Sequence, residues 1–155
     1  MAVLSGCHVY SFTGASISPD VKTITIRQFQ NNASYVQPRL TQLLTDVLKD
    51  RFTSQTSLNI IPDNADLFLS GIITDYNTKP IAIQGNETAA LNRLSVTITV
   101  KYVNKKNEKQ NFESSFSRYR DYQSNLSLSS VEEQLLKEIV DELVDDIFNK
   151  SVVNW

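Results

Sequence analysis

Cysteine, histidine and tryptophan each occur once in this 155-residue chain, and glycine only four times. One thiol cannot close an internal disulfide, so the packed core alone must hold the fold. The one histidine, His8, directly follows Cys7 in what reads as a tether, so neither a Ser-His-Asp arrangement nor a zinc cluster, both of which need fixed neighbours, is expected. The few glycines form neither a G-x-S-x-G elbow nor a phosphate-cradling loop. Adjacent acids such as Asp145 and Asp146 fall on a polar helix face, without the burial that separates two pKa values for acid and base work. Catalysis is therefore not expected, and neither a cofactor nor a metal is implied. No run of about 18 apolar residues is present to span a membrane.

A formal charge of -2 gives no overall positive field, so nucleic acid is not an expected partner. The distribution is more informative than the sum. Over residues 101–120, Lys101, Lys105, Lys106, Lys109, Arg118 and Arg120 oppose Glu108 and Glu113, a balance of +4. Residues 121–155 carry eight acids against Lys137 and Lys150, a balance of -6. Two readings stay open: a solvated hairpin beside a solvated helix face, or a basic patch for an anionic partner.

Two residue periods organise the chain. Val21 to Arg27 is β-branched and alternating, which predicts a strand. From Pro38, the apolar residues Leu40, Leu43, Leu44, Val47, Leu48 and Phe52 fall on one helix face, predicting a helix over about 37–54 with proline in its first turn. Leu58 to Pro62 is a short extended piece, followed by turn chemistry at Asp63-Asn64. Leu67 to Ile73 is apolar on both faces, as in a central strand, with Gly71 marking a bulge or a close helix contact. Leu94, Val96, Ile98, Val100 and Tyr102 alternate with polar residues, and Phe112, Ser114 and Phe116 return after the turn 104–109 as an antiparallel hairpin.

Ser130 to Glu133 matches a capping box, and Leu135 to Phe148 carries an apolar stripe about four turns long, with Asp141, Glu142, Asp145 and Asp146 opposite. The expected fold is α+β: a two-layer sandwich of two helices on one face of a mixed four-stranded sheet. Its other face, lined by Ser95, Thr97 and Thr99, is left polar. Residues 1–19 are expected to be a tether and 20–155 a single domain.

The lone cysteine closes Leu4-Ser5-Gly6-Cys7, the form of a bacterial lipobox. Small residues flank the cut, and the thiol is free to take a diacylglyceryl group. Met1-Ala2-Val3 is too short for the charged and apolar parts of such a signal. The sequence is therefore expected to start just upstream of the box, and the chain as written to be soluble and unacylated. In the cell, several acyl chains on Cys7 exceed the two-signal threshold for stable anchoring, at roughly 0.8 kcal/mol per buried CH₂. On that reading the four Asn-x-Ser/Thr matches, at Asn32, Asn86, Asn125 and Asn149, carry no message.

Four stretches carry a family resemblance: Ser11 to Ile17 after the lipobox, Ile83 to Leu94, Phe116 to Tyr122, and the ending Ile147 to Trp155. Together they resemble the LptE-type lipopolysaccharide-assembly lipoproteins of Bacteroidetes, over essentially the whole span from Cys7. The resemblance implies a two-layer sandwich anchored to the outer membrane from the periplasmic side. It also implies a partner, the LptD-type β-barrel, in which such proteins sit as a plug and assist insertion of lipopolysaccharide. Under that reading Arg93, Lys101, Lys105, Lys106, Lys109, Arg118 and Arg120 are candidate lipopolysaccharide contacts, through charge-assisted bonds to phosphate. The turn Gln84, Gly85, Asn86 and Glu87 is the candidate barrel-contacting loop. The alternative is a lipoprotein module of another envelope assembly, such as a secretin pilot or barrel-assembly component.

Overall fold

The structure is a computed structural model that describes residues 16–81, 85 and 90–153. Its elements follow one another as β1 (Thr23–Ile26), β2 (Gln30–Asn31), α1 (Pro38–Gln55), β3 (Asn59–Ile60), β4 (Leu67–Ile81), β5 (Leu91–Asn104), β6 (Phe112–Gln123) and α2 (Leu128–Val152). The strands make one sheet in the order β3-β1-β4-β5-β6, with β2 also beside β4. β1 runs parallel to β3 and β4, while β4, β5 and β6 are antiparallel. The sheet is thus mixed, as expected, but has six strands instead of four. The additions are two residues long: β2, too short to leave a periodic trace, and β3, which lies inside the extended piece read over Leu58 to Pro62.

α1 begins where its sequence says it should. Pro38 takes the first helical position, and the Gln37 side chain accepts from the Arg39 amide at 3.2 Å. α2 begins earlier than its capping box suggests. Ser127 is its N-cap, and the Ser130 hydroxyl donates back to the Ser127 carbonyl at 2.7 Å, so the box does not form. The helices run parallel: Arg39 meets Glu133 near their starts and Arg51 meets Asp145 near their ends, at the same sequence offset.

Leu40, Leu44, Leu48 and Phe52 of α1 and Ile139, Val140, Leu143 and Ile147 of α2 are fully buried against Ile24, Leu69, Ile73, Leu94, Val96, Ile98 and Val100 of the sheet. Removing one such side chain from water contributes roughly 1.5–3 kcal/mol. Phe52 and Phe148 meet edge to face, centroids 5.1 Å apart, which adds about 0.5–1.5 kcal/mol beyond area.

Gly71 does not mark the bulge, since it stays in register opposite Val100. The ring of Phe29, carried by the break between β1 and β2, fills the space beside it, and the Phe29 amide donates to Thr45 Oγ1 of α1 at 3.2 Å. The bulge lies further on, where the β4–β5 register shifts between Ile73 and Asp75. That one-residue shift turns Tyr76, not Asp75, into the core, and β4 continues to Ile81.

Candidate functional site

The parity of each strand decides where its charges go. Lys101 alternates with buried Val100 and Tyr102, so it stands on the open sheet face. Arg118 and Arg120 share the parity of Phe112 and Phe116, so they lie on the helix side. The candidate basic set is therefore divided between two faces and a turn.

The turn is built around Asn104, whose side chain is nearly fully buried. Its amide nitrogen donates to Gln110 Oε1 at 2.6 Å, and its Oδ1 accepts from the amides of Lys106 and Asn107 at 2.9 and 3.1 Å. Asn111 Oδ1 accepts from the Asn104 amide at 2.7 Å, and a short 3-10 turn spans Glu108–Gln110. Lys105, Lys106 and Lys109 project from this hydrogen-bonded frame and are exposed. Only Lys106 of the three is in an ion pair among the described residues, 3.7 Å from Asp66. Asp66 itself accepts from the amides of Lys22 and Thr23 at 2.9 and 3.2 Å. The Lys22 amide, first among these contacts, holds its carboxyl below the usual carboxylate range.

Arg118 and Arg120 face α2 in a ladder. Arg118 grips Asp146 with two bonds of 2.7 and 2.6 Å. Arg120 reaches Glu138 and Glu142, each at 2.7 Å. The match is geometric: four helix residues advance about 6 Å and two strand residues about 6.6–6.8 Å, so a spacing of four fits a spacing of two. Hydrogen bonds from Arg120 hold the carboxyls of Glu142 and Glu138 below their usual range. The basic strand and acidic helix of the sequence are largely each other's partners.

Arg93 is also engaged. It makes bonds of 2.7 and 2.9 Å to Asp121 and lies over the Tyr119 ring, 3.7 Å from its centroid. Beyond it, the open face is a hydroxyl ladder: Thr97 with Ser117 at 3.0 Å and Thr99 with Ser115 at 2.8 Å. Arg27, Gln30, Ser70, Thr99, Lys101 and Glu113 border a concavity of about 650 Å³ at the other end of this face.

Gly85 has φ of 116°, a left-handed conformation that suits glycine. Gln84, Asn86 and Glu87 lie outside the described residues, as does Cys7. Among the described residues, no group of three or more His, Cys, Asp or Glu is placed to hold a metal, and no helix is long and apolar enough to cross a membrane.

One cluster escaped the sequence reading. Exposed Tyr35 stacks on Tyr76, centroids 5.4 Å apart, and the Tyr76 hydroxyl donates to Glu132 of α2. Burial, with that bond, pushes the Tyr76 phenol above its ordinary pKa. Only the two-residue alternation resumed after a bulge would have placed Tyr76 inside.

Comparison with known proteins bears on the same residues. The profile of a family described as lipopolysaccharide-assembly, LptE, matches residues 21–151. No curated protein sequence matches the chain. Among solved structures, a minor lipoprotein from Acinetobacter baumannii is similar, with 17% identity over 84% of this chain and 91% of that one, at a TM-score of 0.55. So is the rare lipoprotein B of Shewanella oneidensis, with 18% identity over 83% and 92% of the two chains, at a TM-score of 0.53. At such identities these likenesses speak for the fold.

Proposed function

From membership of the lipopolysaccharide-assembly (LptE) family, to which this chain belongs, we propose that it is an outer-membrane lipoprotein, held on the periplasmic side through acylated Cys7. On this reading it acts as plug and assembly partner of an LptD-type β-barrel during lipopolysaccharide insertion. The observation that carries the reading is the family match, which runs from the start of β1 to the last turn of α2. It works by binding and positioning, without catalysis.

The geometry supports a division of labour. A plug must be rigid and polar where it meets a wet lumen, and the hydroxyl-rich open face has that character. Lys101 and the turn lysines Lys105, Lys106 and Lys109 are the contacts offered to lipid phosphate. Arg93, Arg118 and Arg120, whose charge is spent on Asp121 and on α2, stiffen the body. The loop containing Gln84, Gly85, Asn86 and Glu87 is the barrel-contacting element.

The test is a pull-down of the acylated protein from detergent-solubilised outer membranes, followed by a salt wash. An LptD-type barrel recovered in comparable amount is the expected result. Recovery of a secretin or a barrel-assembly component would replace the plug assignment with an accessory role elsewhere in the envelope.

A further inference from the structure

Three segments converge behind the β5–β6 turn: the entering chain at Ser16–Ser18, the turn itself and the last turn of α2. Ser151 Oγ, on α2, is fully buried and has no hydrogen-bond partner among the described residues. A buried hydroxyl without a partner is costly, and native proteins seldom leave one so. Ser151 borders a small, partly open cavity of about 10 Å³, whose polar lining comes from Ser16, Ser18, Tyr102, Asn104 and Gln110 beside three apolar residues.

From this we infer that the cavity holds one ordered water molecule, bonded to Ser151 Oγ and built into the fold. The volume sets the ligand: it is about one water-sized sphere, at the lower bound for holding water and too small for anything larger. The lining sets the occupancy, because cavities that stay dry are apolar and this one is largely polar. A water needs two to four partners. The Asn104 amide is already committed to Gln110, Lys106 and Asn107. Ser16, Ser18, Tyr102 and Gln110 are the other polar residues of the lining; Ser18 already donates its hydroxyl to Asp20 and Gln110 Oε1 accepts from Asn104, so Ser18 is left to accept and the Gln110 amide nitrogen to donate.

Such a water is a structural joint. The Ser16 amide already donates to the Val152 carbonyl at 2.7 Å, which ties the entering chain to α2 directly. The water adds a second tie and links both to the lysine-bearing turn. It makes Ser151 a positioning residue for the point at which the chain joins the sheet.

A crystal structure of the unaltered protein, paired with thermal melts and amide exchange of Ser151→Ala, tests this. Expected are one density peak within hydrogen-bond distance of Ser151 Oγ, a Tm lowered by about 2–4 °C, and faster exchange at the Ser16 amide. A cavity without density, with the Ser151 hydroxyl turned onto the Ile147 carbonyl, would overturn the inference. So would a Tm that holds or rises in Ser151→Ala, the response of a dry, unpaired hydroxyl. Because the density is read on the unaltered protein, a poorly folding variant leaves the result decisive.

Discussion

Phe29 and Gly71 occupy one site between them: a Cβ built on Gly71 would lie 2.1 Å from Phe29 Cε1. The ring is nearly fully buried and its backbone is held by Thr45, so it has nowhere to retreat. Gly71→Ala should destabilise the protein by about 1–3 kcal/mol, the range of core overpacking. Phe29→Leu should recover part of that loss in the double variant, although alone it destabilises. Urea unfolding of the two single variants and the double gives the coupling directly, and additive effects would show that the two residues do not share the site.

The Arg120 ladder predicts a sign for pH. Glu138 and Glu142 are held below their usual range by Arg120, Asp121 by Arg93 and Asp66 chiefly by the Lys22 amide. A carboxyl depressed in the folded state contributes stability that is present above its unfolded pKa, near 4, and is lost as pH falls through the folded value. Stability should therefore decline below about pH 4, and Arg120→Met should make that decline shallower. Carboxyl titration by NMR should show Glu138 and Glu142 returning toward about 4.3 in the variant; unchanged values would mean that the ladder does not form in solution.

The turn separates charge from presentation. Replacing Lys101, Lys105 and Lys109 together by Glu should weaken retention of lipopolysaccharide by about tenfold or more at low salt. Each exposed change should move stability by no more than about 0.5 kcal/mol. Asn104→Ala removes no positive charge but breaks three hydrogen bonds in the frame, at a cost of about 1–3 kcal/mol. It should weaken the same retention. If Asn104→Ala binds normally while remaining folded, lysine presentation does not depend on the frame.

Anchoring is tested in the cell. In cells that export the protein, Cys7→Ser should abolish incorporation of labelled fatty acid and move the protein from the membrane pellet to the periplasmic fraction. Persistent pelleting without label would place the membrane attachment in a partner instead.

Much of this architecture is legible in the residues because two periods dominate it. Leu40 to Phe52 gives α1 to within a residue at each end, and Leu94 to Tyr102 gives the middle of β5. The reading weakens where pairing is carried by backbone alone, as in β2, and where one extra residue inverts the alternation, as after Ile73. At the site, the seven basic residues are visible as charge, but charge does not disclose its partner. The parity that puts Arg118 and Arg120 with Phe116, and Lys101 opposite Val100, was present in the sequence. What was absent was knowledge that the acids of α2, spaced by four, would lie beside arginines spaced by two.

The parallel run of the two helices gives the molecule an electrical long axis. Each helix carries about half a positive elementary charge at its amino end and half a negative one at its carboxyl end, and side by side these dipoles add. The amino ends lie toward Tyr35 and the strand ends that flank the Gly85 loop. The carboxyl end of α2 lies toward the lysine turn, where Lys150 sits over the Phe112 ring. The lysines of that turn therefore offset a carboxyl-terminal field before they meet any phosphate, and the end with fewer formal charges in its favour gains positive potential from backbone alone. Sites for anions on this body are thus not to be found by counting lysines.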